Sequence, residues 1–462
     1  MQPRTAYTGR PRERKTRRSV RIAESVARLL ITVGGAGTIL AVVTVFAFLV
    51  YVVFPLFQSA TVLHDGRVQG WRSETPIRIG QDEDRALVWA LFRDGRIEVV
   101  ELATGKVIAQ KQVFEGPRLN AWAFDPGTDS AIFGFDDGSL RTGSIGIRSR
   151  RIDYDDASAA AKELKVGAAL VSESGLLTRS SQDQFRFAEL AVDLKPPVKG
   201  SSPVMFVDQT KTPNGTVLVV LSADGKLRLE RLREQTNSLT GKIVTKRSGV
   251  DLPAPQSAPL GVFVSAAGHQ VYVFGIDGRM TRIDVRDWQA PKVAEVSSVV
   301  DDGATVTIVR PMLGKDTFLV GDSTGRVGAW FSANSNDDGA GDVSKFVRAH
   351  EFSWGNGAVT ALAVSDRTRM AAAGFADGKV RLFYVTSERT MLDLDAADTK
   401  PVRALAIAPK DDGLVALEGG IRTWAIDPKH PEITLQTVFG KVWYEGYSEP
   451  QYMWQSSGGS EP

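Results

Sequence analysis

A short hairpin pattern that recurs along most of the chain constrains its fold more than any other feature. The clearest copy, AAAGFADGKVRLFYV, runs from Ala371 to Val385, and apolar residues alternate with polar ones on both sides of Asp377-Gly378. Asp-Gly between two such runs is a strong β-hairpin signal, and a type I′ turn would use the positive φ that glycine tolerates. Because one hairpin is only marginally stable by itself, its repetition indicates a larger β fold.

Eight copies of the hairpin follow one another, with turns spaced about 42 to 53 residues apart, close to the period of four-stranded propeller blades. The third copy is the weakest, because Ser181 to Gln184 replace the Asp-Gly pair. The copies span Leu87–Leu102, Ala131–Ile145, Leu176–Phe187, Val217–Leu229, Val271–Ile283, Phe318–Trp330, Ala371–Val385 and Leu414–Ile426.

A further apolar run precedes five of these hairpins and predicts the inner strand of each blade: Asn120–Phe124, Leu260–Val264, Thr305–Val309, Val359–Val364 and Val402–Ile407. The sequence therefore predicts an all-β, WD40-like β-propeller with eight blades. Seven blades are the alternative, because the third unit is degenerate. A β-sandwich is the structural rival, but sandwiches do not usually repeat one hairpin at this period.

The resemblance to WD40 repeats is loose. No Trp-Asp dipeptide closes a unit, although Trp330 and Trp424 fall at roughly that place, and Gly268-His269 is the only Gly-His pair.

The N-terminal region predicts a membrane anchor. Residues 1–28 carry nine Lys and Arg against two Glu, and no charged residue occurs from Leu29 to Leu63. A transmembrane helix needs about 20 mostly apolar residues, and basic flanks stay on the cytoplasmic side. We therefore predict a cytoplasmic arm (1–28), a transmembrane helix (29–57) in the bacterial inner membrane and a periplasmic propeller (65–440). A cleaved signal peptide is the alternative, although its apolar region would be shorter.

Composition agrees with export of the propeller. The chain has no cysteine, so it forms no disulfide and offers no thiolate, and its 44 glycines suit a turn-rich β fold. The whole chain has a net charge of +2, but residues 1–28 alone carry +7, so the remainder is mildly acidic at −5. Nucleic-acid binding needs a basic surface, so we predict no nucleic-acid partner.

Catalytic and metal-binding motifs are missing from the sequence. His64, His269, His350 and His430 are isolated from one another, and no nucleophile elbow, P-loop or dinucleotide fingerprint occurs. Thr104-Gly105-Lys106 is similar to the repeat of quinone-dependent dehydrogenase propellers, but Ala109 stands where their docking tryptophan would be, so we interpret it as a turn. We predict a protein that is not an enzyme, with no catalytic residue, cofactor or metal.

Two acidic stretches share some features with metal-binding sites. Asn334, Asn336, Asp338 and Gly339 match the opening of a calcium loop, but Lys345 stands where that loop needs a bidentate Glu. We interpret the stretch as a flexible acidic loop. The cluster of Asp153, Asp155 and Asp156 is interpreted as a solvated loop between blades.

The C-terminal residues 441–462 differ in kind from the repeats. An aromatic segment precedes a short flexible end, Ser456 to Ser460. Trp and Tyr favour the membrane interface, although these rings would also suit closure of the propeller. The aromatic residues are Trp443, Tyr444, Tyr447, Tyr452 and Trp454.

The order of basic arm, anchor, WD40-like domain and the segment VWYEGYSEPQYMWQSSGG, within Lys441 to Gly459, resembles the N-terminal part of a permease subunit of phosphate-type ABC transporters, in the proteobacterial version with a large insertion after its first span. The resemblance implies the inner membrane, a permease core, an ATPase and a periplasmic phosphate-binding protein as partners. The translocation core has no counterpart here, so we expect either a fragment or a separately encoded core.

These observations predict a membrane-anchored extracytoplasmic propeller that acts as a docking or regulatory domain of an ABC phosphate importer permease. The competing class is a single-span periplasmic propeller that serves as a scaffold for envelope or outer-membrane protein assembly. A quinone- or metal-dependent enzyme is a third class and would retain its cofactor on purification. The ligand of the propeller and its oligomeric state stay open.

Overall fold

A computed structural model describes residues 17–54, 60–68, 71, 74–172, 175–236, 243–335, 343–353, 357–396 and 399–427. The chain divides into two compact units. One comprises Met1–Gln58 with Lys429–Pro462, and the other comprises Ser59–Pro428. The predicted C-terminal segment 441–462 lies outside the described residues.

The first unit contains one long helix, α1 (Arg18–Val53). From Leu29 onward its apolar part covers about 37 Å at about 1.5 Å per residue, which exceeds the roughly 30 Å hydrocarbon core of a bilayer. None of its most apolar window is buried against protein, unlike the core helix of a soluble domain. The helix is thus long and apolar enough to cross a membrane, a property that it shares with signal sequences near an N-terminus.

The second unit is a β-propeller. Its described residues form seven antiparallel sheets, which we number as blades 1 to 7. Blade 1 holds β2 (Arg78–Gln81), β3 (Leu87–Leu91), β4 (Arg96–Glu101) and β5 (Val107–Gln112). Blade 2 holds β6 (Leu119–Phe124), β7 (Ser130–Phe135), β8 (Leu140–Asp153), β9 (Ala169–Ser172), β10 (Gly175–Arg179) and β11 (Gln184–Leu194), with the short helix α2 (Ala159–Lys162) before β9.

The next four blades have four strands each. Blade 3 holds β12 (Val204–Thr212), β13 (Gly215–Ser222), β14 (Leu227–Thr236) and β15 (Ile243–Leu252). Blade 4 holds β16 (Pro259–Val264), β17 (Gln270–Gly275), β18 (Arg279–Asp284) and β19 (Lys292–Ser298). Blade 5 holds β20 (Val306–Pro311), β21 (Thr317–Asp322), β22 (Arg326–Ser335) and β23 (Val343–Ser353). Blade 6 holds β24 (Val359–Val364), β25 (Met370–Phe375), β26 (Val380–Tyr384) and β27 (Arg389–Leu394).

Blade 7 is assembled from both ends of the propeller. Its strands β28 (Ala404–Ile407), β29 (Gly413–Leu417) and β30 (Ile421–Asp427) come from the C-terminal side. Its outermost strand is β1 (Thr61–Val68), which pairs antiparallel with β30 from Thr61 opposite Asp427 to Val68 opposite Ile421. Main-chain hydrogen bonds between the two ends of the unit therefore close the ring.

The hydrophobic core is divided among the blade interfaces. Each sheet has two buried faces, and seven separate apolar clusters lie between consecutive blades, including one between blade 7 and blade 1. Strands of this kind read as short continuous apolar runs, as in β3, where every residue is buried. A chain with this pattern satisfies all its sheet faces only when the ring is complete.

All eight predicted hairpins are present, but eight blades is wrong and the alternative of seven is correct for the described residues. The third hairpin, β10–β11, does not start a blade of its own. Its strand β11 pairs along β8, and β10 and β9 follow, so blade 2 becomes a six-stranded sheet. The local pattern of a hairpin is the same whether it founds a sheet or extends one.

The five predicted inner strands are confirmed as β6, β16, β20, β24 and β28, each within two residues of the predicted bounds. Two inner strands had no counterpart in the prediction. These are β2, which is short, and β12, whose central residues Asp208, Gln209 and Thr210 are polar.

The Asp-Gly turns form, but not as type I′ turns. In five of them φ is positive at glycine only, between +81° and +86°, and the preceding aspartate is not in that region. The glycine N–H donates to the carbonyl three residues earlier at 3.0–3.2 Å. The hairpin is therefore closed by a type I turn followed by a left-handed glycine. In each turn the aspartate carboxylate accepts a hydrogen bond from the backbone N–H two residues later. The five aspartates are Asp94, Asp137, Asp224, Asp277 and Asp377.

Two turn glycines with the same φ offer a matched test of blade packing. Gly138 and Gly225 both have φ of +81°. A Cβ at Gly138 would lie 2.7 Å from the Ser202 carbonyl oxygen, whereas one at Gly225 would meet nothing within 4 Å. We expect Gly225→Ala to lower the free energy of unfolding by about 1–2 kcal/mol, because alanine disfavours the left-handed backbone conformation. Gly138→Ala should lose more, because the backbone at Ser202 must also move. Thermal unfolding of the purified variants checks this, and equal losses would contradict it.

Candidate functional site

A central channel is enclosed by the inner strands of the propeller. The inner strands contact one another in sequence from β6 through β12, β16, β20, β24 and β28 to β2. They enclose a wide cavity of about 430 Å³, which is lined by β2, β6, β12, β16 and β20. Its walls are mainly apolar, and they include Trp122, Phe124, Phe206 and Phe263. Propellers commonly bind partners or ligands at such a channel or at its rims.

One end of this channel is crossed by protein. We call this end the turn face, because it carries the turns between the first and second strands of the blades. A Cβ on Gly127, in the turn of blade 2, would lie 2.5 Å from Leu313 of blade 5. Gly127 N–H donates to Asp366 of blade 6 at 2.9 Å, and Arg369 of blade 6 donates to the Leu313 carbonyl at 2.9 Å. Turns of blades that are not neighbours thus meet over the axis.

Lys315 ties four blades together at the turn face. It has a positive φ of +52°, which directs a buried side chain inward from the turn of blade 5. Its ammonium lies 2.7 Å from Asp125 of blade 2 and 2.9 Å from Asp208 of blade 3, and it also donates to the Gln209 carbonyl. Asp208 in turn accepts the Val264 N–H of blade 4 at 2.9 Å.

Burial sets the electrostatics of this cluster. It works against the charge of Lys315, but Asp208 and Asp125 outweigh it and raise the pKa of Lys315 above its usual value. Burial also raises the pKa of Asp208, although Lys315 and the Val264 N–H favour the carboxylate. Only 4% of Lys315 and 1% of Asp208 is exposed, so each charge depends on the other for compensation.

Two arginines line the channel just above this cluster. Arg78 on β2 and Arg310 on β20 border both the wide cavity and a narrow one of about 90 Å³ beside it. Both side chains are half-buried. The Arg78 guanidinium lies 5.2 Å from the centre of the Phe124 ring, and a third arginine, Arg93, lies 5.3 Å from the Trp122 ring. The channel is therefore apolar in its walls and positive where Arg78, Arg93 and Arg310 reach it.

Blade 2 carries a projection (residues 146–189) that we call the blade 2 arm, as distinct from the basic arm of residues 1–28. It consists of the far halves of β8 and β11 with α2, β9 and β10, and it has its own small core of Ala161, Leu177, Phe185 and Phe187. Arg186 of the blade 2 arm pairs with Glu83 and Asp84 in the turn of blade 1. The edge strand β9 is exposed along its whole length, and within the described part of the chain it pairs only with β10. Such an edge leaves backbone donors and acceptors open to another strand.

The histidines singled out in the sequence are not brought together. His64 on β1 and His269 between β16 and β17 are exposed, and His350 on β23 has its Nδ1 3.4 Å from the Glu388 carboxylate. His430 lies outside the described residues. Among the residues that the structure describes, no three His, Asp or Glu side chains are arranged to hold a metal ion.

The other singled-out stretches have plain structural places. Thr104-Gly105-Lys106 forms the turn between β4 and β5, with the Gly105 N–H donating to the Glu101 carbonyl at 2.8 Å, as interpreted. Asp153, Asp155 and Asp156 are exposed in the blade 2 arm. The prediction that they form a loop between blades is therefore wrong. The centre of the acidic loop, residues 336–342, lies outside the described residues.

The channel residues were missed by sequence reasoning. Arg78, Asp208, Arg310 and Lys315 are spread over more than half of the chain and match no motif. One signal was available: Arg310 directly follows a predicted inner strand, and Lys315 lies five residues later in the turn. A charged residue at the end of an inner strand must face either water or the channel.

Comparison with known proteins adds little to this picture. No family model matches the chain, and no curated protein matches it. Among solved structures, the chain is similar to the β-propeller domain of Myceliophteria thermophila Cps50 (Swd1), at 12% identity and a TM-score of 0.47, over 78% of this chain and 99% of that one. The propeller assignment here rests on the strand pairing and on the ring of blade interfaces.

Removal of the Lys315 ammonium tests its role at the turn face. We expect Lys315→Met to destabilise the chain by about 3–5 kcal/mol, because it leaves Asp208 buried without a cation. Because burial raises the pKa of Asp208 in the folded chain, the folded state of this variant takes up a proton more readily than the unfolded state. Its deficit should therefore shrink as the pH falls.

The double variant Lys315→Met/Asp208→Asn is the control for this experiment. It removes the buried carboxylate as well, so it should recover part of the lost stability and lose the pH dependence. Denaturant unfolding at several pH values measures both effects. A double variant that is as unstable as the sum of the two single variants would contradict the coupling.

Proposed function

We propose that this chain is the membrane-anchored, extracytoplasmic propeller part of a phosphate-type ABC importer permease, where it acts as a docking or regulatory domain. The observation that carries the proposal is the joining of one apolar helix, with basic residues before it, to a complete propeller on the same chain. If α1 crosses a membrane, the basic arm stays in the cytoplasm and the propeller is exported. The aromatic segment within Lys441 to Gly459 supports the transporter class by its resemblance to such permeases.

The surface of the propeller fits a docking role better than an enzymatic one. The blade 2 arm presents the open edge strand β9, on which Leu170 and Val171 are 38% and 46% exposed. Strand addition to such an edge supplies main-chain hydrogen bonds, and the side chains supply specificity. We propose the periplasmic phosphate-binding protein as the partner that docks there.

Co-purification tests the docking role. The tagged full chain, extracted from native membranes in mild detergent, should retain a permease core, an ATPase or a phosphate-binding protein. Val171→Asp should lower their recovery severalfold, because a charge on the open edge opposes apolar docking. Val296→Asp is the matched control, since Val296 is 45% exposed on β19, the outer strand of blade 4.

The identity of the recovered proteins decides between the two classes. Outer-membrane assembly factors in place of transporter subunits would favour the envelope scaffold. Recovery of neither group from native membranes would count against both docking roles.

The absence of cysteine allows a clean test of topology. Thr8→Cys places one thiol in the basic arm, and Ser181→Cys places one in the exposed turn between β10 and β11. In spheroplasts, a membrane-impermeant maleimide should label Ser181→Cys at once and Thr8→Cys only after lysis. The reverse order would place the propeller in the cytoplasm, and release of Ser181→Cys from the membrane fraction would indicate a cleaved signal peptide.

A further inference from the structure

Arg78 and Arg310 meet inside the channel although they come from blades that are not neighbours. Arg78 belongs to blade 1 and Arg310 to blade 5, and both line the wide and the narrow cavity. The two guanidinium groups repel each other, and partial burial strengthens this repulsion relative to that in water. An arrangement of this kind costs free energy unless something of opposite charge joins it.

Among the residues that the structure describes, neither arginine forms an ion pair with a carboxylate, although Asp129 and Asp366 line the narrow cavity with them. The one hydrogen bond from the Arg310 guanidinium goes to the Val309 carbonyl at 3.4 Å. The Nε of Arg78 is buried and has no hydrogen-bond partner. Ionised donors left without acceptors in a protein interior cost far more than those that face water.

Two of the acidic groups near these arginines have other partners. Asp208 pairs with Lys315 at the closed end. Asp366 accepts the Gly127 N–H. Asp129 also lines the narrow cavity and interacts electrostatically with Arg78, but it forms no ion pair with either arginine. Burial raises the pKa of Asp129, while Arg148 and then Arg78 favour its charge and Asp366 opposes it.

The electrostatics of Arg310 reflect the missing counter-charge. Burial lowers the pKa of Arg310 to about 10, and Arg78 acts in the same direction. The wide cavity beside these groups has room for a small ligand. Arg93 lies at the other end of the same cavity and extends the positive potential along it.

We propose that the propeller channel binds a small oxyanion, a phosphate or carboxylate group, between the guanidinium groups of Arg78 and Arg310. The planar guanidinium donates paired N–H groups to phosphate and carboxylate oxygens, and such charge-assisted bonds are among the strongest in proteins. The crossing turns at the closed end stop the ligand from passing through, so the channel is a cup with a single open end. This proposal does not depend on the assignment to a transporter.

Binding is measured by titration calorimetry on the full-length chain in detergent, at pH 7 and constant ionic strength. Inorganic phosphate is titrated in one arm and succinate in the other, which separates the two sources of the oxyanion. We expect saturable binding in at least one arm. Arg78→Gln and Arg310→Gln should each weaken it by about tenfold or more, since each removes a charged hydrogen-bonding group.

Arg279→Gln is the matched control. Arg279 is the exposed first residue of β18 and does not line the channel cavity, and its replacement removes the same charge. It should leave the affinity unchanged. Arg310→Lys retains the charge but loses the paired N–H geometry, and it should bind more weakly than the original chain.

Thermal unfolding without ligand separates binding from folding. Arg310→Gln should unfold at the same temperature as the original chain or at a higher one, because it removes an uncompensated charge from the channel. Phosphate or succinate should raise the unfolding temperature of the original chain and not that of Arg310→Gln. Absence of saturable heat in both arms, or equal affinity in the original chain and both glutamine variants, would overturn the proposal.

Discussion

Closure of the ring is the constraint on which the rest of this structure depends. Every blade buries both faces of its sheet, so no blade is complete without two neighbours. The chain meets this requirement by pairing β1 with β30, strands from its two ends, and by packing blade 7 on blade 1. The entropy cost of closing a loop grows only slowly with its length. The pairing of β1 with β30, more than 350 residues apart, therefore costs little extra once the blades between them have formed.

The closed ring creates an interior that no single blade possesses. Residues from blades 2, 3, 4 and 5 meet at Lys315, whose charge is held by Asp125 and Asp208. The same turns cross the axis and close the channel at one end. A buried ion pair contributes little net stability when it is compared with apolar packing, but it penalises any arrangement that leaves one partner alone. It thus favours the one arrangement of the blades in which both partners meet.

The two sites that we propose, an outer strand edge and the channel, belong to different parts of the fold. The blade 2 arm offers an open strand edge to a protein partner. The channel holds Arg78 and Arg310, which form no ion pair with a carboxylate in the described residues, and there we propose that a small anion binds. A propeller that holds a small ligand inside and a protein on its outside has the parts for a regulatory domain, because a ligand that rigidifies several inner strands at once changes the blades that they carry.

The sequence by itself determined the hairpins, five of the seven inner strands and the apolar helix, because these follow from local rules of alternation, turn chemistry and length. Only the tertiary structure decided the number of blades, since β10–β11 has the pattern of any other hairpin and its sheet is set by pairing with β8. The same holds for the channel. Arg78 and Arg310, or Lys315 and Asp208, are far apart in the chain and match no motif. They come from β2, β12, β20 and the turn after β20, and only the closure of the ring brings them within reach of one another.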